Sequence, residues 1–358
     1  MLFNIQVLRG IAAALVVWVH AQEIITDTHI PHAFRHVGFA GVDLFFVISG
    51  FIMVHSTSKR EMTPGYFFSR RLLRVAPLYY SFTLLVCLIC AISPSIFKST
   101  SIDFASVYKS LLFIPFEKSA DRIYPVYFLG WTLNYEMFFY ALFSVALFVK
   151  PAVRTLVIGT VLLTLASVGL FISTPDQFGV MAYFYTRPII LDFVLGMLIA
   201  DYAHLRPAVS ARSARIYWLI FVAGCFGLIL LDFVLPAGPA DIAPSTGTFF
   251  RFGVPAALIV WGAVGLDRAK LKFGTEWMRK LGDASYSIYL SHYLAVGLFA
   301  AIIARTLHGE VILTIAAAAT LGAAIGFGVV TYQLVERPLS GDFRHLLAVI
   351  RQSARERS

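Results

Sequence analysis

Charge is scarce in this 358-residue chain. Asp, Glu, Lys and Arg make up 14% of it, against about 25% in an ordinary soluble domain. That shortage excludes a normally solvated globular surface, and the 59% hydrophobic content with a mean hydropathy of +0.78 turns the reading toward lipid. Cysteine is scarce too. Cys87, Cys90 and Cys225 supply no disulfide framework, and Cys87-x-x-Cys90 has no second pair or nearby His to complete a zinc set. No internal repeat or low-complexity tract is evident. The chain has no Gly-x-Ser-x-Gly elbow for a serine nucleophile, no His/Asp/Glu set with metal spacing and no Gly-x-x-x-x-Gly-Lys phosphate loop. A concentrated, water-facing basic surface with stacking groups is also missing, so the net charge of +9 is not a nucleic-acid signature. The first apolar segment lacks a basic n-region and carries Arg9, so it reads as an uncleaved span rather than a signal peptide.

Long apolar runs are what the chain does have. They predict an all-α integral membrane protein, a bundle of about ten transmembrane helices. The expected spans are 4–22, 39–57, 73–92, 126–149, 153–173, 186–204, 214–235, 249–266, 285–305 and 311–334. Helices follow because a spanning backbone must satisfy its own hydrogen bonds and no run of alternating ten-residue strands is present. Segment 103–114 is too short and too charged to cross, and reads as an interfacial helix or a re-entrant piece. The Gly322-x-x-x-Gly326 pair on the last span predicts close helix packing. Most of the 29 lysines and arginines fall in the loops that face the cytoplasm when both termini are cytoplasmic, so that orientation is expected. Residues 1–340 form the membrane domain in this reading, and 341–358 a basic cytoplasmic tail against the anionic inner leaflet.

Against this apolar background each charged residue needs an account. Arg9 and His20 lie eleven residues apart on one helix, close to three turns, so they share a face about 16 Å apart along the axis. His20 falls near the outer end. Asp43, Arg187, Asp192 and Arg251 mark outer parts of their spans, Glu136 lies near mid-membrane, and His292 sits in the ninth span. These groups fit one polar path through the bundle. The alternative is a set of buried ion pairs that pin helices together. His20 suits the role of a base that takes a proton from a hydroxyl near neutral pH, and Glu136 that of a group orienting an imidazole or an acceptor hydroxyl. Arg71 and Arg74 share a helical face at the inner membrane surface. They suit bidentate phosphate binding, or ordinary positive-inside anchoring.

Six motifs in order make the chain resemble the acyltransferase-3 family of bacterial integral-membrane O-acyltransferases across roughly residues 3–340. They are Arg9-x10-His20, the Gly41-Val42-Asp43-Leu44-Phe45-Phe46 run to Phe51, Arg71-x-x-Arg74, Gly130-Trp131-Thr132-Leu133-Asn134-Tyr135-Glu136-Met137, the Ser285-to-His292 segment and Glu336-Arg337-Pro338. The Trp131-to-Met137 stretch and the short length look most like the exopolysaccharide O-acetyltransferases of that family. The resemblance implies acetyl-CoA from the cytoplasm as donor co-substrate. The acceptor would be a hydroxyl on a lipid-linked or growing polysaccharide, at the bacterial inner membrane. It implies that Arg71 and Arg74 hold CoA phosphates, that His20 is catalytic with Arg9 in support, and that Glu136 and Ser285-x-x-x-Tyr289 are functional. Some relatives carry a further C-terminal esterase-like domain; here transfer is expected to finish in the membrane domain.

The expected site is therefore His20, Glu136 and Arg9 for chemistry and Arg71, Arg74, Ser285 and Tyr289 for the donor. Asp43, Asn134, Tyr135, Asp192 and His292 are expected toward the acceptor, with Asn134, Tyr135 and Tyr289 as candidate oxyanion donors and no metal. A transporter or flippase of a polysaccharide precursor is the rival reading, with the same charges as a substrate relay, but paired, Gly/Pro-broken repeat helices are not found. A third reading, an inactive assembly scaffold, is disfavoured by Arg9, His20 and Glu136 all being present.

Overall fold

The computed structural model describes residues 2–22, 36–58, 62–93, 102–119, 122–206, 211–234, 245–306 and 310–339. The expected basic tail, 341–358, lies outside the described residues. In chain order the α-helices of eight residues or more are α1 (Phe3–Ala21), α2 (Ala40–Thr57), α3 (Pro64–Ile92), α4 (Phe104–Leu111), α5 (Gly130–Ala146), α6 (Pro151–Gly169), α7 (Leu191–Leu205), α8 (Ala211–Val234), α9 (Val254–Arg268), α10 (Glu276–Asp283), α11 (Ser285–Thr306) and α12 (Glu310–Thr331). A two-stranded antiparallel hairpin, β1 (Glu117–Ser119) with β2 (Arg122–Ile123), interrupts them. Among the described residues nine helices are long and apolar enough to cross a membrane. The fourth expected span, 126–149, is not among them and forms the 17-residue helix α5. At about 1.5 Å per residue it reaches about 26 Å, short of the roughly 30 Å hydrocarbon core.

Local chemistry sets the helix limits. Pro64 at the first turn and Thr63, whose Oγ1 accepts from the Tyr66 N–H at 3.4 Å, start α3 nine residues ahead of the expected 73. Arg70, Arg71 and Arg74 therefore stand on the helix itself, in its second and third turns. Asp103 caps α4 by accepting from the Ser106 N–H at 2.7 Å, and these contacts hold its exposed carboxyl below the usual carboxylate range. This is the short segment expected at 103–114, pinned to α3 by the Tyr80 hydroxyl donating to the Leu111 carbonyl at 2.8 Å. Two π turns, Phe249–Gly253 ahead of α9 and Tyr332–Glu336 after α12, each carry an inward charged residue, Arg251 and Glu336.

Packing then sets the depth of each polar group. Gly50 of α2 lies against the Phe193 carbonyl and Gly196 of α7 against that of Val47, where a Cβ would collide. This close approach aligns α2 and α7 in parallel and brings Asp43 level with Asp192. The α1 end is tied down by Asn4. Its backbone N–H donates to Asp267, its Nδ2 donates to the Leu271 carbonyl at 2.8 Å, and its Oδ1 accepts from the Phe273 N–H at 3.0 Å. Gly282 sits against the Gln6 carbonyl and Gly10 against Gly282, which locks α10 and the start of α11 beside α1. Gly322 and Gly326 face open space among the described residues. The small-residue contact expected there falls instead on Gly328, against Ile288. Tyr79, Phe51, Phe139, Phe143 and Phe193 fill the interior, while Leu84, Leu88, Leu219, Phe226 and Phe233 stand exposed. Apolar inside and apolar outside is the pattern of a bundle solvated by lipid.

Candidate functional site

Arg9, Arg71 and Arg74 come from two helices, α1 and α3, and line one cavity of about 80 Å³ together with Glu136, Tyr140, Ser285 and Tyr289. Thr132, Glu136 and Tyr140 reach it from α5 because residues four apart share a helical face. Arg9 is 7% exposed, and its Nη1 donates to the Gln6 side-chain carbonyl at 3.2 Å. Gln6 Nε2 donates in turn to Asp283 at 2.5 Å, and Asp283 is paired with Arg279 at 3.1 Å. A neutral amide rather than a carboxylate thus fixes the Arg9 guanidinium. The charges that act on it are Arg74, Glu336 and Glu136. Arg71 is aimed by a hydrogen bond to the Ser56 hydroxyl at 3.3 Å and by the faces of Phe67 and Tyr140, whose centroids lie 5.6 and 5.8 Å away. The Tyr140 hydroxyl donates to the Glu136 carboxylate. Three guanidinium groups and one carboxylate, Glu136, line the cavity, with Glu336 acting from outside it, an excess of positive charge that suits an anionic ligand.

Tyr289 closes the far side of this cavity. Its hydroxyl is 2.7 Å from Thr132 Oγ1 and donates to the Leu129 carbonyl at 3.0 Å. The Ser285 Oγ at the cavity is buried and has no hydrogen-bond partner among the described residues. Beyond Tyr289 stand two imidazoles. His20 and His292 have ring centroids 5.1 Å apart, with Phe128 and Tyr293 edge-on to His20 at 6.1 and 5.4 Å. The Tyr289 and His292 rings are 6.0 Å apart, so Tyr289 is the residue that touches both parts of the site.

The remaining expected residues sort differently. Asp43 and Asp192 are buried and their carboxyls face each other, but neither lines the cavity. Asn134 is buried away from it, with both side-chain polar atoms lacking a partner among the described residues. Tyr135 is committed elsewhere. Its hydroxyl donates to the Phe184 carbonyl at 2.7 Å and its ring stacks on Phe184 at 4.1 Å. Of the three candidate oxyanion donors, only Tyr289 lies at the cavity. Arg187 and Arg251 follow the ion-pair and packing alternative. Arg187 donates to the carbonyls of Gly169 and Ile172 at 2.9 and 2.8 Å, capping α6, and Arg251 is ion-paired with Asp232 at a buried site. Glu336 is a residue the sequence reading quoted in a motif but left out of the site. It accepts from the Ser287 hydroxyl at 2.5 Å and acts electrostatically on Arg9 and Arg74. Its signal was its place in Glu336-Arg337-Pro338; its proximity to α1 was not readable from spacing.

Known proteins resemble this chain over most of its length. A family model described as an acyltransferase domain matches residues 2–332. The chain is 32% identical over 311 residues to the exopolysaccharide production protein ExoZ of Rhizobium meliloti, covering 85% of this chain and 90% of that protein. It is 27% identical over 353 residues to the putative membrane-bound transacylase BcsY of Komagataeibacter xylinus, covering 93% of this chain and 82% of that one. No solved structure matches. The chain belongs to the acyltransferase-3 family of membrane acyltransferases.

Proposed function

We propose that the protein moves an acetyl group from cytoplasmic acetyl-CoA to a hydroxyl of an exopolysaccharide or its lipid-linked precursor, in the bacterial inner membrane with both termini cytoplasmic. The observation that carries this reading is the convergence of Arg9, Arg71 and Arg74 on one cavity that ends at Tyr289, beneath the His20 and His292 rings. The relatives ExoZ, an exopolysaccharide production protein, and BcsY, a putative membrane-bound transacylase, support the substrate class and the reaction.

In this mechanism Arg71 and Arg74 hold the phosphates of CoA, each through a planar fork of donors that keeps its charge. The pantetheine arm extends along the cavity and the thioester reaches Tyr289. His20 takes the proton of the acceptor hydroxyl. The oxygen attacks the thioester carbonyl, the C–S bond breaks, and the proton returns to the departing thiolate. The Tyr289 hydroxyl has one proton, held in the resting site by the Leu129 carbonyl; in this mechanism it turns from that carbonyl to the thioester oxygen as charge develops there. Arg9 and Glu136 set the field at the cavity. The test is transfer of labelled acetyl from acetyl-CoA to isolated polymer by the purified protein in nanodiscs. Transfer that depends on His20 is the expected result; absence of transfer with a competent acceptor contradicts the proposal.

A further inference from the structure

His292 is 0% exposed, and its Nδ1 lies 2.5 Å from the Tyr289 carbonyl oxygen. A carbonyl oxygen only accepts, so Nδ1 carries the hydrogen of that contact. In the neutral ring this leaves Nε2 as a bare lone pair. That atom is buried and has no hydrogen-bond partner among the described residues. A buried acceptor without a donor costs free energy, and the backbone of α11 fixes the tautomer that creates it. The nearest ring to His292 is His20, at 5.1 Å between centroids with the planes inclined by 36°. An N–H···N hydrogen bond of about 2.9 Å between two imidazoles puts their centroids about 5 Å apart.

We infer that His292 is a positioning residue for His20: its Nε2 lone pair takes a hydrogen bond from one ring nitrogen of His20, so that the other nitrogen of His20 presents its lone pair to the acceptor hydroxyl. This rests on the acyl-transfer reading above and adds to it how the base is oriented. The proton count is unchanged. The hydroxyl proton goes to the outward nitrogen of His20, the inward N–H stays bonded to His292 Nε2, and the departing thiolate recovers the outward proton. His292 thus fills the orienting role that a carboxylate fills in other base pairs. Among the described residues, titratable side chains in ring contact with the two imidazoles include the phenols of Tyr289 and Tyr293, with Tyr127 donating to the Leu290 carbonyl next to them. Hydrogen-bond geometry of this kind is often loose without substrate and tightens in the reacting complex.

Two variants separate orientation from packing, with the protein in nanodiscs. His292→Leu keeps bulk and removes the acceptor; His292→Gln places an amide oxygen near the position of Nε2. The measurements are kcat and KM for acetyl-CoA with isolated polymer as acceptor, and CoA affinity by calorimetry as a check that the cavity is folded. The expected result for His292→Leu is a fall in kcat of about a hundredfold, at the low end for loss of a well-oriented general base. KM and CoA affinity stay within about twofold of wild type, and His292→Gln recovers at least a tenth of wild-type kcat. Equal losses in the two variants, a loss expressed in KM, or lost CoA binding by both variants would assign His292 to packing and overturn the inference. So would full activity in His292→Leu. A wild-type protein that fails to transfer acetyl overturns the underlying function instead, a result told apart by running wild type alongside.

Discussion

His20 and His292 meet because α1 and α11 run in the same direction at matched depth. Gly10 of α1 rests on Gly282 just before α11, and ten residues further along each chain segment the two imidazoles stand 5.1 Å apart. Arg9, next to Gly10, therefore marks the cavity end of this stretch and His20 the far end, with Tyr289 between them. The Arg-x10-His spacing is a vertical ruler for the site, about 16 Å long.

His20→Ala is expected to abolish acetyl transfer while the protein stays inserted, folded and able to bind CoA. His20→Gln is expected to be nearly as inactive, because an amide does not accept the proton. Polymer acetylation at the wild-type level in well-expressed His20→Ala would remove the catalytic assignment.

Glu136→Gln is expected to cut kcat strongly, and Asp103→Asn to leave it within about twofold. Glu136 lines the cavity and accepts from Tyr140, at a depth where a carboxylate is costly without a role. Asp103 is an exposed helix cap, and Asn caps a helix about as well as Asp. Parallel rate measurements decide; equal effects would show that membrane depth does not distinguish the two.

Arg71→Ala and Arg74→Ala are each expected to weaken CoA binding about ten- to a hundredfold, since a charge-assisted hydrogen bond is worth roughly 1.5–3 kcal/mol. Lysine at either position recovers only part, because the bidentate fork is lost. Lys150→Ala, at an exposed position ahead of α6, is the control. Calorimetry in detergent that finds all of them binding like wild type would make the arginines topology anchors.

Arg251→Leu is expected to lower the melting temperature and to leave CoA affinity at 25 °C unchanged. It leaves the fully buried Asp232 facing His36 at 3.9 Å in place of a guanidinium, and breaking a buried pair costs about 3–5 kcal/mol. The double variant Arg251→Leu/Asp232→Leu is expected to regain most of the loss. A single variant that melts like wild type would show that the pair does not hold α8 to the segment ahead of α9.

The spans were legible because lipid imposes a composition, and their polar residues were legible because charge there is conspicuous. Which charges share a cavity was not. Arg9 reaches Arg71 and Arg74 only through the packing of α1 against α10 and α11, which depends on Gly282 and Gly10 more than on any charge. Arg187 stood among the span charges with two open readings, polar path or buried contact, and its donors go to backbone carbonyls at the end of α6, a partner set that no periodicity reveals. Tyr135 and Glu136 are neighbours in one motif, but adjacent helical positions point about 100° apart. One faces Phe184 and the other the cavity. The helix start at Pro64 was readable in retrospect from Thr63 and Pro64; the basic residues that follow it masked the signal.

The most direct test of the account is NMR of the exopolysaccharide from a strain lacking this gene, complemented with wild type or with His20→Ala. The account predicts that the deletion strain still exports polymer but has lost an O-acetyl signal, which wild type restores and His20→Ala does not. An unchanged acetylation pattern in the deletion strain, or loss of exported polymer altogether with no acetyl difference in what remains, would contradict it.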